Sequence, residues 1–354
     1  MNISIFKGYS LFRIILLLIL FISGTMRMSG QKPVTPGASP EAIRLLEYIY
    51  SISGKQTLSG QHCAPLVGST RLSVAHRVNG HYPALFGQDF GFSYPGYWDG
   101  INYRQRIVDE AILRHEEGFI ITIMWHAVPP NQDEPVSFRE SIQSDLTDQE
   151  WNDLVTPGTL MNERWKSQVD VIAWFLKQLD YADVPVLWRP YHEMNGGWFW
   201  WGQKKGPDGY IKLWQMMFDR FVNFHGLTNL VWVFNTNEFK DGVDPHETYY
   251  PGDAYVDILA TDVYSEGFNQ VNYDQMIELA GDKPVALGEV GVPPDADKLE
   301  EQPGWTWFMK WGDPGGDRRG TDERALFESE RVITHDELPW VDIKDPRLHH
   351  PVLK

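Results

Sequence analysis

Two glutamates in this chain of 354 residues, Glu193 and Glu289, are of the right type and placement to do chemistry as a pair. Each stands at the polar end of a short apolar run, PVLWRPYHE (185–193) and PVALGEVG (284–291). A pair of carboxyls facing one another suits cleavage of a glycosidic bond. One protonates the leaving oxygen and the other works on the opposite side of the sugar ring. At a separation of about 5 to 5.5 Å the second carboxylate is a nucleophile and the anomeric configuration is retained. The acid must hold its proton near neutral pH, which requires burial or a neighbouring negative charge. Glu193, beside Trp198, Phe199 and Trp200, has apolar company of that kind. Glu289 needs donors to stay ionised, and Arg189 and Tyr264 are the candidates. A lone glutamate at a strand end is as a rule a salt-bridge partner; two together with these rings point to catalysis.

The stretch WRPYHEMNGGWFWW (188–201) concentrates four of the fifteen tryptophans of the chain. Indole faces lie flat on the apolar faces of pyranoses, while hydrogen bonds to hydroxyls set orientation. Trp198, Trp201 and, further on, Trp311 are placed in a cleft by this reasoning, and Trp188 and Trp200 on the barrel wall; for any one ring, plain packing is the competing account. Gly196 and Gly197 let the chain turn back after Glu193. His126, His192 and Asn195 are candidates for binding sugar hydroxyls, although His126 reads equally well as a satisfied structural histidine. A metal site is not expected: the histidines lack ligand spacing and there is no HExxH. No GxSxG elbow supports a serine hydrolase.

The elements that would position these groups alternate. Apolar runs at 56–62, 83–90, 119–127, 185–193, 229–237, 256–264, 284–291 and 305–313 read as strands. Helical patterns fall between them at 103–118, 164–179 and 210–225. Eight such units predict an α/β fold, a single (β/α)8 TIM barrel. An open doubly wound sheet is the alternative, but no Gly-rich phosphate loop follows any strand. Every run ends on polar or aromatic groups: His62, Asp89, His126, Glu193, Asn235 and Asn237, Asp262 and Tyr264, Glu289, and Trp311. Barrel strands open their C-terminal ends onto one face, so these groups are expected to converge there.

Bulk properties narrow the partners. Residues 1–30 combine Lys7 and Arg13 with the apolar run from Ile14 to Ile22, the pattern of a secretory signal peptide, with a single membrane anchor as the alternative. Residues 31–40 (QKPVTPGASP) are expected to be an exposed leader, and 41–354 the catalytic barrel. The formal charge of -17 becomes -20 once Lys7, Arg13 and Arg27 leave with residues 1–30. Such a surface repels nucleic acid and anionic membranes. Cys63 is the sole cysteine, so an internal disulfide is impossible.

RPYHEMNGGWFWWG (189–202) closely resembles the acid/base motif of glycoside hydrolase family 26, whose best-known members are endo-β-1,4-mannanases. LSGQH (58–62), MWHAVPP (124–130), VWVFNTN (231–237), TDVY (261–264), LGEVG (287–291) and FMKWGD (308–313) are similar in the same order, so the likeness covers roughly residues 40–335. It implies a retaining enzyme on a (β/α)8 scaffold with no cofactor or metal, acting on β-mannan or galactomannan; secretion is expected from the signal-like run, and a monomer is expected. Glu193 would be the acid/base and Glu289 the nucleophile. Arg189 would support the nucleophile and Tyr264 would hydrogen-bond it. His192 would contact sugar, Trp198 would border the catalytic subsites and Trp311 would form the platform under the cleaved sugar. The family also holds β-1,3-xylanases and mixed-linkage β-glucanases, and a catalytically silent glycan-binding barrel is a third possibility. Two features depart from the pattern: Gly312 follows Trp311, and a long stretch (129–163) follows the third strand, as a wall of the cleft or as added subsites.

Overall fold

Alternation of side chains along a strand decides how this chain closes up. The computed structural model describes residues 31–63, 70–96, 99–264, 268–315 and 322–342. Its strands are β1 (Thr57–His62), β2 (Leu85–Asp89), β3 (Ile120–Trp125), β4 (Val186–Pro190), β5 (Leu230–Asn237), β6 (Ile258–Val263), β7 (Val285–Val290) and β8 (Trp305–Lys310). All neighbours pair in parallel, and β1 joins both β2 and β8, so the sheet is a closed barrel. This is the (β/α)8 architecture expected from the sequence. A ninth strand, β9 (Val332–Ile333), pairs with Thr57 and Leu58 at the start of β1, while β2 takes the other half, from Gly60 onward.

Both faces of these strands are buried, as parallel strands under helices must be. Leu58, Leu85, Ile120, Leu187, Val233, Ala260, Ala286 and Met309 fill the barrel interior as one cluster. Ala42, Leu45, Leu46 and Ile49 of the helix Pro40–Ile52 belong to the same cluster and plug its N-terminal end. The alternate residues pack outward against the helices in a second cluster. Counting on in twos from the inward set reaches His62, Asp89, His126, Arg189, Asn235, Asn237, Asp262, Tyr264 and Trp311. The alternation that fills the core therefore also assembles the polar mouth.

Several of the helices start on side-chain caps. Asp99 accepts from the N–H groups of Ile101 and Asn102 to open Gly100–Glu116, and Thr159 caps Leu160–Tyr181. Tyr210–Phe218 runs on as a π-helical turn, Asp219–Phe224. In the long stretch after β3, Thr147 and Glu150 form a reciprocal capping box for Asp148–Val155. That stretch packs on the tryptophan-rich segment: Trp151 and Trp200 lie 6.3 Å apart, and Trp200 N–H donates to Ile142 O at 3.2 Å. Among the described residues no helix is long and apolar enough to cross a membrane.

The expected signal peptide, residues 1–30, lies outside the described residues. The expectation of an exposed leader at 31–40 is corrected at Pro33, Val34 and Thr35, which are wholly or partly buried, while Pro36, Gly37 and Pro40 are exposed. Val34 N–H donates to Asp257 Oδ1 at 2.7 Å, and Thr35, 1% exposed, donates to Leu230 O at 3.2 Å. The buried indole N–H of Trp232 donates in turn to Thr35 Oγ1 at 3.2 Å. Backbone donors and buried hydroxyls left unmet would cost free energy, so this stretch is tied to the barrel. Thr35→Val should therefore lower stability by about 1–3 kcal/mol, because the Trp232 indole N–H then lacks an acceptor. Urea denaturation checks this, and an unchanged midpoint would restore the exposed leader.

Candidate active site

Arg189 is the second-last residue of β4 and points into the barrel. Its Nη2 donates to Glu289 Oε1 at 2.6 Å, and its Nη1 donates to Asn235 Oδ1 at 3.0 Å and Asp262 Oδ1 at 3.3 Å. Tyr264 Oη donates to the other oxygen of Glu289, Oε2, at 2.5 Å. Glu289 thus accepts at both oxygens, once from a cation. These are the two donors named from the sequence. His192 Nε2 lies 3.8 Å from Glu289 Oε1.

Glu289 owes its inward aim to an irregularity. Thr261 pairs with Leu287, but the next pair is Asp262 with Glu289. The extra residue of this β-bulge turns over the alternation that runs through Ala286 and Gly288, so Glu289 faces the mouth.

Glu193 does not end β4, as the sequence suggested. It stands three residues past Pro190 in a turn, with φ of 56°, in the left-handed region that L residues seldom occupy. Tyr191, two residues before, has φ of 47°. The turn is pinned by Glu193 N–H donating to Asn235 O at 2.8 Å and Gln203 N–H donating to Met194 O at 2.8 Å. Strain held in place this firmly is characteristic of functional sites. The carboxyl of Glu193 accepts from Trp198 Nε1 at 2.7 Å and from Asn237 Nδ2 at 2.8 Å. Gly196 makes the first of these bonds feasible: a Cβ there would lie 2.1 Å from the Trp198 ring. The need is for space beneath the indole, since neither Gly196 nor Gly197 has a positive φ.

The electrostatics of the two glutamates differ. Burial, and then the charge of Glu289, push the Glu193 carboxyl up to about 7, against the pull of its bonds from Asn237 and Trp198. Asp262, fully buried, is also raised well above its ordinary value, by burial first and then by Glu289. Burial, with the charges of His126 and Arg189, holds His192 far below its usual value and so neutral. His126 is the exception. Burial opposes its charge most, but the Asp89 carboxylate at 2.7 Å from its Nδ1, together with Glu289 and Glu193, raises it.

The remaining candidates divide. Trp198 and Trp311 are both partly exposed at the mouth. Trp188 and Trp200 are fully buried, as expected of wall residues. Trp201 is corrected: it is 0% exposed, its Nε1 donates to His192 O at 2.8 Å, and it stacks against Phe199 at 4.5 Å. Phe199 meets His126 at 5.4 Å and His192 at 5.2 Å. Asn195 is corrected too. It is 0% exposed, accepts from Asn237 N–H at 2.7 Å and donates to Asn237 O at 2.9 Å. It therefore fixes Asn237, the residue that holds Glu193. Asn235, Asn237, Asp262 and Asp89 appeared in the sequence only as polar strand ends; their common signal was placement in step with the inward set.

His192, Asp262 and Glu289 offer ligand atoms within 4.8 Å of one another, the spacing of a metal site. Arg189 already donates to both of those carboxyls, so a guanidinium supplies the positive charge that an ion would bring. What the arrangement can do is general acid/base and nucleophilic chemistry by two unlike carboxyls.

The chain is similar to known proteins over most of its length. Residues 34–337 match the family described as glycosyl hydrolase family 26. A mannan endo-1,4-beta-mannosidase of Thermothelomyces thermophilus is 35% identical over 87% of this chain and 63% of its own length. Another, from Bacillus subtilis, is 25% identical over 86% of this chain and 89% of its own. The chain spans 51 to 63% of the length of the first three curated relatives it matches. Among solved structures, GH26A from Muricauda sp. is 45% identical with a TM-score of 0.81, over 86% of this chain and 99% of that one. A beta-mannanase from a symbiotic protist of the termite Reticulitermes speratus, complexed with gluco-manno-oligosaccharide, is 30% identical with a TM-score of 0.75, over 87% and 97%. With a barrel of this topology, a glutamate pair held in this way and a family match over nearly all the described residues, the chain belongs to glycosyl hydrolase family 26.

Proposed function

We propose that this chain is a secreted, monomeric, retaining endo-β-1,4-mannanase that cleaves β-mannan or galactomannan without metal or cofactor. One observation carries the reading: two glutamates of one cleft sit in opposite settings. Glu193 is raised to about 7 by burial and by Glu289, while both oxygens of Glu289 accept hydrogen bonds, from Arg189 and Tyr264.

In the first step Glu289 attacks the anomeric carbon as the C–O bond breaks, and Glu193 gives its proton to the leaving oxygen. Loss of that proton leaves Glu193 able to take one from water, which then hydrolyses the glycosyl–Glu289 bond. The hydrogen bonds from Asn237 and Trp198 serve Glu193 in its charged form between the steps. His126 and His192 meet the hydroxyls of the sugar, Trp198 borders the cleavage point and Trp311 is the platform beneath the ring. Mannan as substrate is supported by the names of relatives that share this family. Secretion is supported by the signal-like run Ile14–Ile22 and by the size of a polysaccharide, which is met outside the cell.

Product analysis on mannan, galactomannan, β-1,3-xylan and mixed-linkage glucan tests the assignment; internal cleavage of mannan is expected. Preferred release from another polymer would move the substrate, and binding without release from any would make the chain a glycan binder. Glu289→Ala should lose about 10³-fold or more in turnover, and near-normal activity would remove it from the nucleophile role. Glu193→Ala should keep far more activity on aryl glycosides with good leaving groups than on mannan, since these need little protonation. Equal losses on both would end the acid role.

The pH profile follows from the same site. The acid works protonated, so kcat/KM should fall as pH rises through about 7. Asn237→Ala removes a donor that favours the carboxylate, so this alkaline limb should move to higher pH. A limb that stays in place or moves down would show that Glu193 does not set it.

A further inference from the structure

Trp311 stands just beyond β8. Its own N–H donates to Val290 O at 2.9 Å, and Gly312 follows with φ of 94°. His126 meets its ring edge-on at 6.5 Å, and further support comes from across the barrel seam, at the end of β1. Gln61 Nε2 reaches Lys310 O at 3.2 Å and Gly312 O at 2.9 Å, the carbonyls on either side of Trp311, and also His62 O at 3.0 Å. His62 lays its ring along the indole, with centroids 4.1 Å apart and planes 31° apart.

His62 is an odd choice for packing alone. It is 2% exposed, and neither ring nitrogen has a hydrogen-bond partner among the described residues. Burying polar atoms unmet is unfavourable, and an apolar side chain would avoid that cost. The fold nevertheless makes room for it: a Cβ on Gly87 of β2 would come within 3.2 Å of His62 Cδ2. Burial, and then the charge of Arg189, keep the imidazole neutral, so no cation lies under the indole.

We infer that Gln61 and His62 are positioning residues that clamp Trp311, one by the backbone on both sides and the other by the ring, so that the opposite indole face is held as a fixed floor for a pyranose. The inference rests on the reading of Trp311 as the sugar platform. Neither residue touches the reacting atoms. Their effect passes through one ring.

A double-mutant cycle with mannooligosaccharide, together with ¹⁹F NMR of protein labelled with 5-fluorotryptophan, tests this. Gln61→Ala and His62→Ala should each lower kcat/KM about tenfold, as a mispositioned contact does, with the cooperative melting transition retained. Once Trp311→Ala is present, neither should cost more than about twofold further, because the ring they act through is gone. A full further loss in that background, or wild-type kcat/KM in both single variants, overturns the inference. The NMR arm needs no substrate. The resonance missing from Trp311→Phe belongs to Trp311, and it should broaden or split in His62→Ala. A single line of native width there overturns the clamp even if the chain cleaves no mannan, which separates this failure from a failure of the proposed function.

Discussion

One guanidinium among three buried carboxyls is the constraint on which the mouth of this barrel depends. Arg189 bonds Glu289 and Asp262 directly, and the charge of Glu289 reaches Glu193. Burying more carboxyls than the guanidinium can pair with favours protonation of the remainder. Burial and Glu289 drive both Glu193 and Asp262 upward. The protonated state of the proposed acid thus follows from burial first and then from the charge of Glu289, the carboxylate that Arg189 holds. Losing one partner of such a buried pair typically costs about 3–5 kcal/mol, so the pair ties stability and chemistry to the same residue.

Much of the fold was legible because its cause is simple. Runs of apolar residues alternating with amphipathic helices have few stable arrangements, and all eight strands lie where the runs are. Glu289 was legible from a strand end and Arg189 and Tyr264 from the need for donors, whereas Glu193 was singled out at the end of an apolar run that leaves the strand three residues earlier. Asn195 and Trp201 were misread because residue type was taken as a sign of contact with ligand. An asparagine in a turn binds backbone as readily as sugar, and an indole beside a cleft is equally useful beneath it. The leader was misread for a related cause: QKPVTPGASP looks like a linker by composition, but its bonds to Asp257 and Leu230 are made with residues about 200 positions away.

The aromatic segment illustrates how binding surface and packing are shared out. Of its rings, Trp188, Trp200 and Trp201 are sealed, Phe199 is nearly so, and Trp198 is left partly open. Trp200 and Trp201, 5.5 Å apart, make a bed against the helical stretch after β3, where Trp151 meets Trp200. A strained turn such as the one bearing Glu193 persists only when its surroundings over-determine it. The long stretch after β3 therefore contributes to the site by bracing this bed, whatever else it borders.

The bulge in β7 has a consequence for anyone reshaping this protein. Because one surplus residue decides which way Glu289 looks, the reactive group obeys a local insertion and not the barrel's repeating rhythm. Grafting β7 onto a related scaffold by aligning its apolar positions would carry the carboxyl to the outside, under the helices. The transplantable unit is the strand together with its irregularity, and a smoothed, idealised barrel of the same composition would be a well-folded but blind one.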